Sequence, residues 1–187
     1  MRRRTYLALA GTGSFGLLSG CTLLRDRDGG LQNGSFESGL DGWTVGHDLP
    51  TDPNTGDLVA TDASVTGTRA AAGTRSLELF IDGRQDDGTL WVQQPALLSD
   101  VQTLSVAVFS PAESFNVLTR IAAYAGPEPM GGLTETQFDT RRAVEDHVGW
   151  RTHEYPVEFD GEGVVAVGVS VVWETEVTRW LDDVRLL

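Results

Sequence analysis

The chain is 187 residues long and carries 14 basic side chains, all Arg, against 27 Asp and Glu, for a formal net charge of -13. That length suits one domain with a sizeable core, and 40% hydrophobic residues with 8% aromatics exclude wholesale disorder. So acidic a chain lacks the basic patch that would neutralise phosphate, which excludes nucleic acid and anionic lipid surfaces as partners. Its one cysteine, Cys21, excludes an internal disulfide, a CxxC redox pair and a cysteine zinc cluster.

Arg3-Arg4-Thr5-Tyr6-Leu7 resembles a twin-arginine (Tat) export signal. The mildly apolar run at 7–18 that follows is too short, and too rich in Gly, Ser and Thr, to span a bilayer. It ends in Leu18-Ser19-Gly20-Cys21, which resembles the lipobox of lipoproteins, where small residues admit the signal peptidase and the cysteine thiol receives the lipid. The two motifs imply a signal peptide at 1–20 and a mature chain that begins at lipidated Cys21, anchored on the extracytoplasmic face of the cell membrane. The plainer alternative is an amphipathic N-terminal helix with a chance cysteine. Residues 21–30 then form a tether, solvated by Arg25, Asp26, Arg27 and Asp28, that reaches roughly 30 Å when extended at about 3.4 Å per residue. Carboxylates in such number without any Lys resemble the surfaces of proteins from salt-loving archaea, where acidic groups stay hydrated and their repulsion is screened. An acidic surface selected for one basic partner is the alternative.

From residue 31 the dominant period is two. Segments 31–37, 43–45, 58–61, 76–81, 89–93, 104–109, 117–124, 152–159, 164–173 and 179–187 read as strands separated by Gly, Pro, Asp and Asn turns. Many short strands without a competing helical pattern predict an all-β, antiparallel sandwich over 31–187. Asp52-Pro53-Asn54-Thr55-Gly56-Asp57 begins like a calcium loop, but Asp57 stands where such a loop needs Gly and Ala63 where it needs Glu, so an ordinary Asx turn is expected. The break in the pattern is 126–149. Pro127, Pro129, Gly131 and Gly132 open it, and Thr134-Glu135-Thr136-Gln137 resembles a capping box before a polar stretch, which predicts an inserted loop with one or two helical turns. An insert of that length is either functional, for instance as a docking surface for a protein partner, or an inert elaboration.

Two motifs at the ends of this region carry a resemblance. Asn33-Gly34-Ser35-Phe36-Glu37 with Gly39 and Trp43, and the closing Trp180-Leu181-Asp182-Asp183-Val184-Arg185-Leu186, are similar to the N-G-x-F-E-x-G-x-x-x-W opening and aromatic-x-D-[DN]-V-x-L ending of galactose-binding-like jelly-roll β-sandwiches, the group that includes many carbohydrate-binding modules. The resemblance implies that the first and last segments lie side by side. It also implies a structural Ca²⁺ held by Glu37, Asp182 and backbone carbonyls of the Gly73-Thr74-Arg75 turn, since oxygen ligands suit calcium. Alternation by itself puts Asp182 on one face with Trp180, Val184 and Leu186, where a carboxylate needs a cation or hydrogen-bond donors. Loop amides or an Arg could serve in place of the metal.

Sugar recognition needs aromatic rings for the C–H face of a pyranose and polar groups for its hydroxyls. Trp91 and Gln93 share a strand face opposite Leu90 and Val92, and Arg120 and Tyr124 share one opposite Val117, Ile121 and Ala123. The four could line a groove on one sheet, or pack against the insert. Trp43, Trp150, Trp173 and Trp180 read as core or edge packing, and His47, His147 and His153, which lack metal-ligand spacing, as solvated loop histidines. Catalytic signatures are poor. Gly168-Val169-Ser170 lies in mid-strand without the sharp turn of a nucleophile elbow, and Asp86/Asp87 and Glu174/Glu176 are too close in sequence to oppose each other across a glycosidic bond. The expected function is a cell-surface lipoprotein with a non-catalytic module that binds a glycan or polysaccharide. A structural or protein-interaction subunit of an envelope complex is the alternative, and a glycoside or polysaccharide hydrolase fits worst.

Overall fold

The computed structural model describes residues 30–84, 87–172 and 175–187. The leader, Cys21, most of the tether, Asp86, Trp173 and Glu174 lie outside the described residues.

Among the described residues, nine strands make two antiparallel sheets. β1 (Thr44–Asp48), β4 (Gly88–Leu97), β6 (Thr119–Gly126) and β8 (Glu162–Val171) form a four-stranded sheet in the order β1-β4-β8-β6. β2 (Thr61–Thr66), β3 (Ser76–Gly83), β5 (Thr103–Ser110), β7 (Gly149–Pro156) and β9 (Thr175–Leu186) form a five-stranded one in the order β2-β3-β9-β5-β7. Alternation drives this arrangement. Leu77, Leu79 and Ile81 of β3, Leu104, Val106 and Val108 of β5, Leu90 and Val92 of β4, and Val165, Val167, Val169 and Val171 of β8 all turn into one shared core. Each such side chain contributes about 1.5–3 kcal/mol by leaving water. The period of two therefore produces the antiparallel β-sandwich that it predicts.

The opening segment departs from that prediction: 31–37 is a series of turns rather than a strand. Asn33 and Phe36 take φ of 55° and 56°. The side-chain amide of Asn33 donates to the carbonyls of Gly39 and Asp41, and Trp43 Nε1–H donates back to Asn33 O at 3.0 Å. Asn and Gly favour such local bonding over an extended ladder, and the rings of Phe36 and Trp43, 5.5 Å apart, seal the turn against the core. The amide of Val184 donates to Gly34 O at 2.9 Å, so the opening and closing segments do lie side by side.

A second departure changes the phase of β9. Across β5, Asp182 pairs with Ala107 and Arg185 with Ser105, so Asp183 and Val184 both oppose Val106; this is a β-bulge, with Asp183 at φ 51°. The extra residue inverts the alternation beyond it. Leu181, Val184 and Leu186 all join the core, whereas Trp180 and Asp182 lie on the sheet's other side. The single face expected to carry Trp180, Asp182, Val184 and Leu186 is thus corrected.

Residues 127–148 fold back over the four-stranded sheet. A single 3₁₀ turn, Glu135–Gln137, follows a capping box in which Gln137 Oε1 accepts from the Thr134 amide at 2.7 Å. Residues 139–144 then run along the free edge of β6. Asp139 donates to Ala123 O at 2.8 Å and accepts from Ala123 N at 3.2 Å, while Ile121 N donates to Arg142 O and Val144 N to Thr119 O at 2.9 and 3.0 Å. The amide of Glu135 reaches Asp48 Oδ2, at the end of β1, at 2.9 Å. The insert consequently crosses the whole sheet from β6 to β1.

Candidate functional site

Strand alternation does put Trp91, Gln93, Arg120 and Tyr124 on one outer face of the four-stranded sheet, and the insert roofs that face. Trp91 is 3% exposed. Its ring lies over β1, where Gly46 alone leaves room because a Cβ there would collide with the indole. Trp91 Nε1–H donates to Gln93 Oε1 at 2.7 Å, and Phe138 of the insert packs on the indole with ring centres 5.0 Å apart. Arg120 spends a guanidinium N–H on Thr140 O at 3.2 Å. Tyr124 is half-buried, donates its hydroxyl to Pro127 O at 2.6 Å, and keeps one side open. The four residues therefore do not form an open platform. Leu133 and Phe138 draw the insert onto Trp91, Ala122 and Val164 by burial of apolar surface.

Beside Tyr124 the two layers end at β6 and β7 and leave a cavity of about 430 Å³, within the range of small-ligand sites. The rings of Tyr124, Tyr155 and Phe159 and the polar groups of Asp139, Arg141 and Glu158 line it. Tyr155 faces Leu104 of β5 across the ladder. It is 5% exposed, and its hydroxyl has no hydrogen-bond partner in the protein. Burial first, then the charge of Asp139, pushes its acidity well above the usual phenol range, so it stays a neutral hydroxyl. Asp139 accepts from Nε and the amide of Arg141, each at 3.0 Å. Those bonds hold its carboxyl below the ordinary range, hence ionised. A glycosidase acid must instead be kept protonated. The half-buried rings of Tyr124 and Phe159 beside carboxylate acceptors suit contact with a hydroxyl-rich molecule. Sequence reading missed Tyr155, Phe159, Asp139 and Arg141. The signal was the alternation of 152–159, which sets Tyr155 and Phe159 on one face.

Glu37 and Asp182 grip the same loop, from the N-terminal turn and from the last strand. Asp182 is fully buried; its Oδ2 accepts from the amides of Ala71 and Ala72 at 2.7 and 2.9 Å, and Oδ1 from Asp183 N at 2.7 Å. Glu37 Oε1 accepts from Thr74 N and Arg75 N at 2.7 and 2.9 Å, and Oε2 from Thr74 Oγ1 at 2.8 Å. The amide and hydroxyl of Thr74, then the Arg75 amide, hold the Glu37 carboxyl below its ordinary value. Burial raises that of Asp182 against the opposing pull of its amides. Gly73 permits the close approach, since a Cβ there would collide with the Glu37 carboxylate. A calcium ion needs the turn's carbonyls, but the turn presents its N–H groups and the Thr74 hydroxyl, and three hydrogen bonds to each carboxylate leave little room for a cation. Among the described residues no three His, Cys, Asp or Glu side chains are grouped to hold a metal ion. As arranged, these residues do not fit Ca²⁺. Residues 52–57 form the expected Asx turn, with Asn54 N on Asp52 Oδ1 at 2.7 Å.

His147 and His153 correct the sequence reading: both are buried, at 4% exposure, with ring centres 5.4 Å apart. The register of β7 on β5 sets His153 opposite the core residue Val106, which local composition did not reveal. On the outer face of the five-stranded sheet, strand registers align Glu78, Trp180, Phe109 and Trp150 in one transverse row. Phe109 meets Trp150 and Trp180 edge-on at 5.5 and 5.8 Å, and the Arg69 guanidinium lies 4.2 Å from the Phe109 ring centre and 4.6 Å from that of Trp180. Arg69 thus covers a face of Phe109 and of Trp180, while Trp150 meets Phe109 edge-on at the end of the row.

No protein-family model matches the chain, and no curated protein matches it in sequence. Solved structures do resemble it. The carbohydrate-binding module TmCBM61, solved in complex with β-1,4-galactotriose, is similar over 85% of this chain and 97% of that one, with a TM-score of 0.53 and 16% identity. The enzymatically active domain of tailspike protein 4 from bacteriophage CBA120 is similar over 86% of this chain, with a TM-score of 0.53 and 10% identity. This chain spans only 22% of the tailspike domain. At such identities the likeness is one of fold.

Proposed function

We propose that this sandwich, which has the fold of a carbohydrate-binding module, is itself a non-catalytic glycan- or polysaccharide-binding module, held at the extracytoplasmic face of the membrane by a lipid on Cys21. The cavity between β6 and β7 carries the binding part of this proposal. It combines the half-buried rings of Tyr124 and Phe159 with carboxylate acceptors from Asp139 and Glu158, the pairing that a pyranose requires. The nearly end-to-end likeness to a module that holds a galactotriose is consistent with it. A glycan array in high salt should give a hit among neutral polysaccharides, weakened by Tyr124→Ala; an empty array defeats the proposal. The anchoring part rests on the Arg3-Arg4 and Leu18–Cys21 motifs. Cys21→Ala should move the protein from the membrane fraction to the medium, and unchanged fractionation refutes the lipid.

Docking of a protein partner through 126–149 is the second proposal, favoured by Met130 near the start of the insert and by Phe115, which shares a surface hollow with Asp146 near its end, both fully in solvent. Crosslinking from these two positions in whole envelopes should capture one protein, whereas recovery of monomer alone counts against it.

A further inference from the structure

On the outer side of the five-stranded sheet, away from the cavity, we infer a second glycan site: Arg69 and Trp150 take one uronic acid residue, its carboxylate on the guanidinium and its C–H face against the indole.

The loop that carries Arg69 fixes its place. Ser76 Oγ donates to Arg69 O at 2.8 Å, and Asp182 and Glu37 hold the amides of Ala71, Ala72, Thr74 and Arg75 just beyond it. The loop is therefore ordered before a ligand arrives, which spares binding that cost. The exposed guanidinium lies over Phe109 and Trp180, 4.2 and 4.6 Å from their ring centres, and such stacking orients it. Its donors are unspent. Arg84, Arg141, Arg179 and Arg185 each pair with a carboxylate, whereas among the described residues the Arg69 side chain has neither an ion pair nor a hydrogen bond. A planar cation with free N–H groups matches a planar carboxylate bidentately.

Trp150, half-buried at the β7 end of the row, carries no guanidinium of its own. Phe109 touches both groups, so cation and indole stand one ring apart, the span of a pyranose and its carboxylate. The acidic groups of this face leave that place open. Glu78 gives Oε2 to Trp180 Nε1–H at 2.7 Å and lies at the other end of the row, three strands or roughly 14 Å from Trp150. Glu154 is four residues along β7, about 13 Å away, and Asp182 is buried under its three N–H donors. The net charge of -13 repels a polyanion, but salt screens that repulsion for a single carboxylate. The ligand is thus a largely neutral glycan with an isolated uronate.

The test is an NMR titration of the isotopically labelled protein in high salt with the methyl glycosides of glucuronic, galacturonic and mannuronic acid, each against its neutral partner from glucose, galactose or mannose. At least one uronide should shift the Trp150 indole N–H and Arg69 Nε–H signals at concentrations where its neutral partner does not. Arg69→Gln should abolish that advantage and Trp150→Ala should weaken the uronide, both with an otherwise unchanged amide spectrum. Tyr124→Ala should leave these shifts as they are, which separates this site from the cavity. The inference is overturned if no uronide shifts the two signals, if neutral partners shift them equally, or if Arg69→Gln keeps the preference.

Discussion

The ring of Phe138 sits on that of Trp91, centre to centre 5.0 Å, so a side chain from the insert covers the one indole on the outer face of the four-stranded sheet. The protein's own insert fills that face, and Tyr124, half-buried, lies at its edge.

If the roof is held by this contact, Phe138→Ala should cost about 3 kcal/mol, in line with removal of a buried Phe ring, and should make Trp91 accessible. Acrylamide quenching of tryptophan emission, with Trp91→Phe as the control, reads the second effect. Quenching unchanged from wild type would show that the insert is held without Phe138.

Loop 69–75 should need no metal. Thermal melts with calcium and with a chelator are expected to coincide, because a ligand that binds only the folded state would separate them by mass action. Asp182→Ala should destabilise the domain by about 3–5 kcal/mol, since it strands the buried amide donors now held by the carboxylate. A calcium-dependent rise in melting temperature that Asp182→Ala abolishes would restore the ion.

Acid should weaken the fold through His153. Burial, then the neighbouring charge of His147, pulls its pKa from 6.5 to about 4. The folded protein therefore keeps the ring neutral while the unfolded chain takes up a proton below about pH 6.5. Stability is expected to be flat with respect to this group above that pH, to fall as pH drops from 6.5 towards 4, and to level off below; the whole window is worth about 3 kcal/mol. Urea titrations at stepped pH should show the decline in wild type and a shallower one in His153→Phe. Parallel curves would remove His153 as the cause.

Glu145 and Arg179 form a buried pair, 2.7 Å apart, that ties the end of the insert to β9. Arg179→Ala leaves the carboxylate unpaired and should cost about 3–5 kcal/mol by denaturant unfolding, whereas Arg179→Met with Glu145→Leu should recover most of that loss. A single-variant cost below 1 kcal/mol would mean that water already reaches the carboxylate.

Much of the site's framework was legible in residue order and its chemistry was not. The Asn33–Trp43 and Trp180–Leu186 motifs announced that the first and last segments of the sandwich meet, and Gly34 and Val184 do bond. Trp91, Gln93, Arg120 and Tyr124 were rightly set on one face, because side-chain direction in a strand is a local property. What covers that face depends on where Phe138 lands, more than forty positions from Trp91 in the chain. Likewise Tyr155 and Asp139 reach one cavity only because 139–144 pairs with β6 while β7 closes the other sheet.

Local residue order accounts for an acidic chain of alternating strands, the core that alternation buries and the turn chemistry of Asn33 and Gly39, all of which follow from neighbours within a few residues. The rest was settled by packing between distant segments: the bulge at Asp183 that set Val184 and Leu186 on the side opposite Asp182, the loop amides that bond both carboxylates, and the stranded hydroxyl of Tyr155. These outcomes turn on which distant backbone groups compete for the same oxygen or the same apolar surface. Such competition is settled by packing in three dimensions, and spacing along the chain carries no record of it.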